Sequence, residues 1–544
     1  MAFVVRFLPE ARSWHGDEPT PLAVAAAGCG LLVEQPCGAK AVCGRCRVRS
    51  VDGALPATAE DRRLLGDEVD DGWRLACRAV LAADAVVEVP PATRAVAHKT
   101  FGDDGLFRGG FERALATGRW GIALDVGSTT VAAALVDLDS GAVQASASTL
   151  NPQVHYGGDV VSRIAFARRR QDGGAELHRV LALALDALIG ECLAAGDVAP
   201  GDLAGVAAVG NPTMTHTLLG LDVGGLGVAP FEGVRYDAWH GPLSAAGLTA
   251  TGAQVELYVG PAVQSHVGAD AVAAALAAGL DRTDRPRLLV DLGTNSEVML
   301  AWHDGVLCTS ASAGPAFEGA TLHHGMRAVP GAVDRVRIDA DGSIRTTTIG
   351  AEPPVGICGS GLVDAVAELL RAGVLEPAGR MRPREELGWL SPRLAGRVEE
   401  SAEPGRFLRL AGDEHHPVLL TAHDVRELQL VKGSIAAAVR LLLAEAGLGL
   451  DELEEVLVAG AFGNFVHPAS ARAIGLVPSV PPRRLRFVGN AAGAGARMLL
   501  VDRRARDRAD ALAARARFVE LGNRPDYQDA FVEALPFPQP GESR

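Results

Sequence analysis

Four cysteines near the N-terminus have the types and spacing of an iron–sulfur ligand set. Cys37, Cys43 and Cys46 stand as C-x5-C-x2-C, and Cys77 follows after thirty residues. A 2Fe–2S cluster needs four thiolates, two for each iron. Structural zinc normally takes two paired Cys-x2-Cys knuckles, and only the pair Cys43 and Cys46 has that spacing. The pattern predicts a 2Fe–2S cluster, with a zinc ribbon or buried free thiols as the alternatives.

The residues between these cysteines also suit a cluster. Ala39, Ala41 and Gly44 are small, so backbone amides can turn toward the sulfides and tune the potential by hydrogen bonding. The pattern resembles the vertebrate-type 2Fe–2S ferredoxins. Four further cysteines lie outside it, and three of them are expected to be buried thiols: Cys29, Cys192 and Cys308.

Two loops of a second kind begin with aspartate. Residues 125–130 read Asp-Val-Gly-Ser-Thr-Thr and residues 291–297 read Asp-Leu-Gly-Thr-Asn-Ser-Glu, and each loop follows an apolar strand. Glycine lets backbone approach phosphate, hydroxyl and N–H groups donate to its oxygens, and the carboxylate reaches Mg²⁺ directly or through water. One Asp-x-Gly is a common turn. Two at apolar strand ends predict a nucleotide triphosphate site with magnesium.

Two later segments complete this pattern. Residues 456–464 form an apolar strand that opens into a Gly loop, and residues 489–496 begin a helix of very small residues. Together with the aspartate loops they resemble the phosphate, adenosine and connecting motifs of the actin, sugar-kinase and heat-shock-chaperone ATPase superfamily. That resemblance implies two lobes that close on ATP, with the small helix at the hinge.

The same resemblance implies roles for individual residues. Asp125 and Asp291 would hold Mg²⁺, and Gly460 and Ala461 would lie near adenosine, although the adenosine motif here is Ala-Gly-Ala instead of the usual Gly-Gly. The phosphate contacts would be Gly127, Ser128, Thr129, Thr130, Gly293, Thr294 and Asn295.

Three candidate residues have two possible roles each. Gln429 and Lys432, on an expected helix, either line the adenine or ribose or are solvated helix positions. Glu318 either positions the attacking water, as a carboxylate near phosphate does in this fold, or caps a turn.

Composition and charge set the broad class. The chain has 544 residues, a hydrophobic fraction of 48% and a net charge of -14. The acidic balance argues against a general nucleic-acid binder. No apolar run free of charge is long enough to span a bilayer, and the first residues lack the pattern of a signal peptide, so a cytoplasmic protein without membrane contact is expected.

The elements expected along the chain define an α/β multidomain fold. A β-grasp 2Fe–2S ferredoxin domain is predicted at residues 1–95, and a linker at 96–119. A two-lobed actin-like (RNase H-like) ATPase follows, its first lobe at 120–280 and its second at 281–530 with the return to the hinge. A C-terminal tail that frays from Phe537 is predicted within 531–544.

This tandem resembles the reductive activators of corrinoid-dependent methyltransferase systems. Further segments carry the resemblance: residues 151–153, 158–163, 210–216, 312–319 and 356–361. It implies ATP-dependent delivery of one electron from the cluster to a corrinoid protein or corrinoid-dependent methyltransferase, converting cobalt(II) to cobalt(I). An electron-donating reductase or ferredoxin would be the second partner, and a homodimer is left open. A ferredoxin-linked small-molecule kinase, an activator of radical dehydratases and an ATP-gated redox sensor are the rival readings.

Overall fold

The computed structural model describes most of the chain. The described residues are 2–9, 11–35, 37, 39–53, 55–90, 93, 101, 106, 110–249, 255–314, 316–319, 321–413, 416–460, 465–522 and 524–539. No helix in these ranges is both long and apolar enough to cross a membrane.

The N-terminal part of the chain is a twisted sheet with one helix across it. Its strands are β1 (Phe3–Leu8), β2 (Arg12–Gly16), β3 (Thr20–Pro21), β4 (Arg47–Asp52), β5 (Trp73–Leu75), β6 (Val80–Leu81) and β7 (Ala85–Glu88), and its helices are α1 (Leu22–Gly28) and α2 (Ala59–Leu65). The sheet order is β2–β1–β7–β4–β5, with β1 and β7 parallel. Alternate residues Phe3, Val5 and Phe7 of β1 are buried in the core shared with α1. This arrangement confirms the predicted β-grasp module.

A first lobe follows at residue 120. It contains β8 (Trp120–Val126), β9 (Thr130–Asp137), β10 (Val143–Leu150), β11 (Leu203–Gly210), β12 (Trp239–Pro242), β13 (Glu256–Val259), α3 (Val160–Arg169), α4 (Gly173–Ala195), α5 (Pro212–Leu218) and α6 (Ala269–Ala277). The sheet order is β10–β9–β8–β11–β13–β12. Strands β8, β11 and β13 are parallel, so the loops after β8 and β11 emerge at one edge. Ligands bind at that edge in open α/β sheets.

The second lobe repeats this plan. Its strands are β14 (Arg287–Asp291), β15 (Asn295–Trp302), β16 (Gly305–Ser312), β17 (Ala332–Ile338), β18 (Ile344–Thr348), β19 (Gly356–Ile357), β20 (Val398–Glu400), β21 (Arg406–Gly412), β22 (Pro417–Thr421), β23 (Glu455–Ala459), β24 (Leu485–Gly489) and β25 (Ala516–Phe518). Its main sheet runs β24–β23–β14–β15–β16–β25. The antiparallel meander β14–β15–β16 with parallel β23 and β24 matches β8–β9–β10 with β11 and β13. The predicted pair of similar lobes is therefore confirmed.

Helices complete the second lobe and link it to the first. They are α7 (Gly359–Ala372), α8 (Pro392–Ala395), α9 (Ala422–Ala446), α10 (Pro468–Ala473), α11 (Ala491–Val501), α12 (Arg503–Arg515) and α13 (Pro525–Ala534). Helix α11 packs on α6 of the first lobe. A Cβ atom on Gly495 would lie 2.1 Å from the carbonyl oxygen of Ala273, so only glycine permits this approach. The small helix thus packs closely between the lobes, and its role as a hinge stays a prediction.

Parts of the predicted linker and tail are fixed in place. In the linker, the amide of Ala114 donates to Val501 O at 2.9 Å, and the amide of Glu112 donates to Asp502 Oδ1 at 3.2 Å. Residues 96–100, 102–105 and 107–109 lie outside the described residues. In the tail, Phe537 is 3% exposed. The prediction that the chain frays from Phe537 is wrong at that residue, because its ring completes the core of the second lobe.

Candidate functional site

The cluster cysteines meet as two pairs. Cys37 and Cys43 lie within hydrogen-bond reach of one another, and so do Cys46 and Cys77. Among the residues that the structure describes, no three His, Cys, Asp or Glu side chains converge as one metal-ion site. Two pairs of thiols match the two-per-iron donor set that a 2Fe–2S cluster needs.

The loop between the first two cysteines turns its amides inward. Ala39 and Ala41 have positive φ values of 62° and 56°. A positive φ is uncommon for residues other than glycine, and such strain occurs where surrounding structure or function requires it. The hydrogen bond with Cys43 lowers the pKa of Cys37, and backbone amides including that of Lys40 lower this pKa further. These hydrogen bonds therefore favour the thiolate form at Cys37.

Three of the four remaining cysteines were expected to be buried thiols. Cys192 and Cys308 are fully buried, and burial raises the pKa of both thiols. Cys29 is half-buried, and its Sγ donates to Ala26 O at 3.2 Å. Burial raises the pKa of Cys29 as well. All three have the structural setting of unreactive thiols.

A cleft between the lobes collects the nucleotide candidates. Its volume is about 210 Å³. Both aspartate loops open into it, as the matching edges of the two sheets dictate. The sequence-predicted residues that line it are Asp125, Gly127, Ser128, Thr129, Thr130, Asp291, Gly293, Thr294, Asn295, Glu318 and Gly460. Residues from four distant parts of the chain are thus brought to one site.

Glu318 lies at the centre of this cleft. The hydroxyl of Thr294 donates to Glu318 Oε1 at 2.6 Å, and Thr129 Oγ1 of the first lobe lies 3.5 Å from Thr294 Oγ1. Within the described structure, the buried Oε2 of Glu318 has no hydrogen-bond partner. Burial raises the pKa of Glu318. A buried carboxylate with an unused oxygen can accept a hydrogen bond from water beside a phosphate.

Sequence reasoning missed two further carboxylates in the cleft. Asp270 lies in the first turn of α6, and Glu297 lies on β15. Burial, followed by the charges of Asp270 and Asp291, raises the pKa of Glu297 well above its usual value. So many carboxylates in one cleft favour a cation there. Asp270 carried no local signal, because it stands in an Ala-rich helix without a Gly loop.

The adenosine side of the cleft depends on close backbone approach. Gly460 has φ of 104°, and a Cβ there would lie 2.3 Å from Leu292 O. Asn490 caps α11 through its Oδ1, which accepts from Gly493 N at 3.0 Å. Both residues line the cleft. Ala461 lies outside the described residues.

Two predicted contacts are not brought to this cleft. Gln429 Nε2 donates to Ala378 O and Leu535 O, each at 3.1 Å. Lys432 donates to carbonyls of Ala534 and Pro536, and burial lowers its pKa to about 8. Both residues are buried, so the solvated alternative is wrong too. They face the C-terminal segment because α9 turns that side toward α13.

Other singled-out segments support the phosphate loops. Asn151 Nδ2 donates to Gly127 O at 2.9 Å and so fixes the first loop. His216 is 1% exposed, and its Nε2 accepts from Val234 N at 2.9 Å. Burial lowers the pKa of His216. This histidine is a core residue that holds the loop at Val234 and Arg235.

Comparison with known proteins places these features in one family. The N-terminal part matches the 2Fe–2S iron–sulfur cluster binding domain over residues 8–82. Residues 120–283 match the RACo middle region, and residues 285–544 match the C-terminal domain of RACo, described as the ASKHA domain. A corrinoid activation enzyme, RamQ of Eubacterium limosum, is 33% identical over 423 residues, covering 76% of this chain and 69% of that protein. The chain belongs to the RACo family.

Further relatives agree with the RACo assignment. A [Co(II) methylated amine-specific corrinoid protein] reductase of Methanosarcina barkeri is 27% identical over 415 residues, covering 71% of this chain and 70% of that protein. The solved structure of a reductive activator for corrinoid, iron–sulfur protein has a TM-score of 0.71 and 27% identity, and it covers 99% of this chain and 98% of that one. The RACo architecture therefore extends over the whole length of the protein.

Proposed function

We propose that this protein is an ATP-dependent reductive activator of a corrinoid protein. It delivers one electron from a 2Fe–2S cluster to the partner's cobalt(II), which becomes cobalt(I). The proposal depends on one observation. The same chain contains two cysteine pairs and a carboxylate-lined cleft between two similar lobes. The names of the relatives supply the class of partner.

The cluster ligands are Cys37 with Cys43 on one iron and Cys46 with Cys77 on the other. When bound, the cluster supplies a one-electron carrier. The amides around Cys37 donate to its sulfur, and such hydrogen bonds offset charge and tune the potential. A separate reductase or ferredoxin supplies the electron to this module.

The cleft binds ATP with Mg²⁺. Asp125 and Asp291 are the residues that would hold the metal, directly or through water. The hydroxyls of Thr129 and Thr294 donate to phosphate oxygens from opposite lobes. Glu318 orients the attacking water through its Oε2. Its burial favours this role over the alternative of capping a turn.

ATP is needed because the electron moves uphill. Ferredoxin-type clusters have potentials near about -400 mV, and the family resemblance implies a lower cobalt(II)/cobalt(I) couple. For one electron, each ~59 mV costs a factor of ten. Closure of the lobes on ATP changes how the protein holds its partner, and this differential binding shifts the transfer equilibrium. ATP acts through conformation and phosphorylates nothing.

One experiment separates the activator from its rivals. The protein, a chemical reductant, Mg²⁺ and a cobalt(II) corrinoid protein from the same cell are mixed anaerobically, with ATP added or withheld. An activator forms cobalt(I) only with ATP. A ferredoxin-linked kinase would phosphorylate a small molecule and leave the cobalt spectrum unchanged, and a redox sensor would turn over ATP without reducing cobalt.

A further inference from the structure

A lysine of the cluster loop reaches into the nucleotide-binding lobe. Lys40 lies between the ligand residues Cys37 and Cys43. Its Nζ donates to Gly319 O at 2.7 Å and also to Leu322 O. Burial lowers the pKa of Lys40. A half-buried ammonium that donates to two carbonyls of another domain is a specific contact between domains, because it would lose both acceptors on separation.

The carbonyls that receive this lysine belong to a tightly folded turn. Gly319 has φ of 75°, and a Cβ there would lie 2.3 Å from Met326 N. The amide of Met326 donates to Ile357 O at 2.9 Å. The amide of His323 donates to Asp424 Oδ1 at 2.7 Å. The segment at residues 321–326 is therefore tied to both β19 and α9.

This turn begins at the nucleotide cleft. Glu318, which accepts from Thr294 at 2.6 Å, immediately precedes Gly319. A phosphate that arrives in the cleft competes for the Thr294 hydroxyl, and magnesium attracts the freed carboxylate of Glu318. Either change shifts the backbone at Glu318 and so displaces the adjoining Gly319, whose carbonyl is one of the two that Lys40 uses.

Other polar contacts across this junction are weaker. Arg45 pairs with Glu352 at 2.7 Å, and the two side chains are 34% and 44% exposed. Arg327 Nη2 lies 3.7 Å from Glu34 Oε1, which is beyond hydrogen-bond distance. Exposed ion pairs contribute little, whereas hydrogen bonds to a charged group in a buried setting change an equilibrium by about tenfold or more. Lys40 is thus the side chain of the cluster loop that donates two hydrogen bonds across this junction.

We propose that Lys40 is a latch that holds the cluster module, meaning the N-terminal β-grasp module with the cluster cysteines, on the second lobe. Nucleotide binding at Glu318 breaks the hydrogen bonds of Lys40 and so opens this latch. This inference rests on the proposed binding of ATP in the cleft. Without nucleotide the module stays docked with Lys40 on the carbonyls of Gly319 and Leu322. With nucleotide the module is released, so that the cluster can approach the partner. Electron delivery is thereby confined to the ATP-bound protein, and Lys40 acts as a positioning residue.

The chain offers a direct test because it has three lysines, Lys40, Lys99 and Lys432. The protein with its cluster is treated with an amine-acylating reagent, with or without a non-hydrolysable ATP analogue and Mg²⁺, and labelling is measured by mass spectrometry. We expect acylation of Lys40 to speed up at least about tenfold with the analogue. Lys432, buried against the C-terminal segment, is the internal control and should stay protected in both samples.

The melting temperature of the same samples is also measured. It distinguishes failure of the latch from failure of ATP binding. A melting shift with unchanged labelling of Lys40 would overturn the latch and leave ATP binding intact. No melting shift would overturn both.

Two variants extend the test. Lys40→Met should increase the radius of gyration in solution scattering without nucleotide, to the value that the wild type reaches with the analogue. Arg6→Met, which removes a charge from the exposed face of β1 in the same module, should not. A Lys40→Met protein as compact as the wild type would contradict the latch.

Glu318→Gln provides a second route should Lys40→Met fail to fold. It should bind the analogue yet reduce the nucleotide-dependent rise in Lys40 labelling at least several-fold. An undiminished rise would exclude Glu318 as the link between the two sites.

Discussion

The hydroxyl oxygens of Thr129 and Thr294 lie 3.5 Å apart, although 165 residues separate them in the chain. Each threonine follows an Asp-x-Gly turn at the end of the first strand of its lobe. Phosphate oxygens bound between the two turns would be held by both lobes at once. Nucleotide binding and the relative position of the lobes are therefore coupled through this one contact.

The first prediction concerns nucleotide binding. ATP with Mg²⁺ at about a hundred times its Kd should stabilise the protein by about 2.7 kcal/mol, because a ligand of the native state shifts the folding equilibrium by mass action. Asp291→Asn should remove most of this gain in a melting assay and leave the cluster spectrum unchanged. Asp304→Asn, at a turn where the side chain is 80% exposed, is the matched control and should keep the full shift. A full shift in Asp291→Asn would argue against a metal-holding role.

The second prediction concerns hydrolysis. Glu318→Gln should slow corrinoid-stimulated ATP hydrolysis by about 100-fold or more, since an amide cannot accept the proton of the attacking water. Nucleotide affinity, measured by the same melting assay, should change little. Glu385→Gln, an exposed position on the second lobe, serves as the control. Wild-type hydrolysis by Glu318→Gln would leave Asp270 as the better candidate for orienting water.

The third prediction uses the pH dependence of stability. Burial raises the pKa of Glu318 in the folded protein, so folding favours its protonated form. The contribution of this carboxyl to the free energy of unfolding is therefore present at low pH. It is lost as pH rises through the pKa that Glu318 has in the folded protein. Without nucleotide, Glu318→Gln should be more stable than the wild type near neutral pH, and the difference should shrink as pH falls toward the ordinary carboxyl range. A difference that is independent of pH would show that the charge is not the cause.

The fourth prediction concerns the hinge. Gly495→Ala should lower the free energy of unfolding by about 1–3 kcal/mol, because the added methyl group overpacks the contact with Ala273. It should also reduce the melting shift with ATP, since α6 and α11 could no longer approach fully. Gly190→Ala places the same methyl group on the open face of α4 and should be neutral or stabilising by up to about 1 kcal/mol. Equal effects of the two changes would contradict the close approach.

The fifth prediction concerns the cluster. Anaerobically purified protein should be red-brown, with about two irons and two sulfides per chain. Cys43→Ala should lose the colour, because one iron is left with a single thiolate. Cys29→Ala should keep it. Stoichiometric zinc without iron would contradict the cluster and support the zinc alternative.

Local patterns were enough where the chemistry is local. The cysteine spacing and the two aspartate loops could be interpreted because most of their residues lie within a few positions of one another, Cys77 being the exception. The β-grasp module, the paired lobes and the hinge helix followed from strand patterning and from the small residues near Gly495.

The misjudged positions depend on contacts between distant segments. Gln429 and Lys432 are polar residues on a long helix, and nothing near them in sequence reveals the carbonyls of residues 534–536 that they bind. Asp270 and Lys40 were missed for the same reason. Asp270 reaches the cleft only when α6 is placed beside β14, and Lys40 finds its acceptors 279 residues further along the chain.

One measurement tests the central claim most directly. The cluster is reduced first, excess reductant is removed, and the protein is mixed anaerobically with a cobalt(II) corrinoid protein while the cobalt(I) absorbance is followed. With ATP and Mg²⁺ the wild type should form one cobalt(I) for each cluster oxidised, and neither the wild type without ATP nor Asp291→Asn with ATP should form it. Cobalt(I) appearing equally fast without ATP, or no cobalt(I) while the cluster stays reduced under every condition, would contradict an ATP-dependent reductive activator.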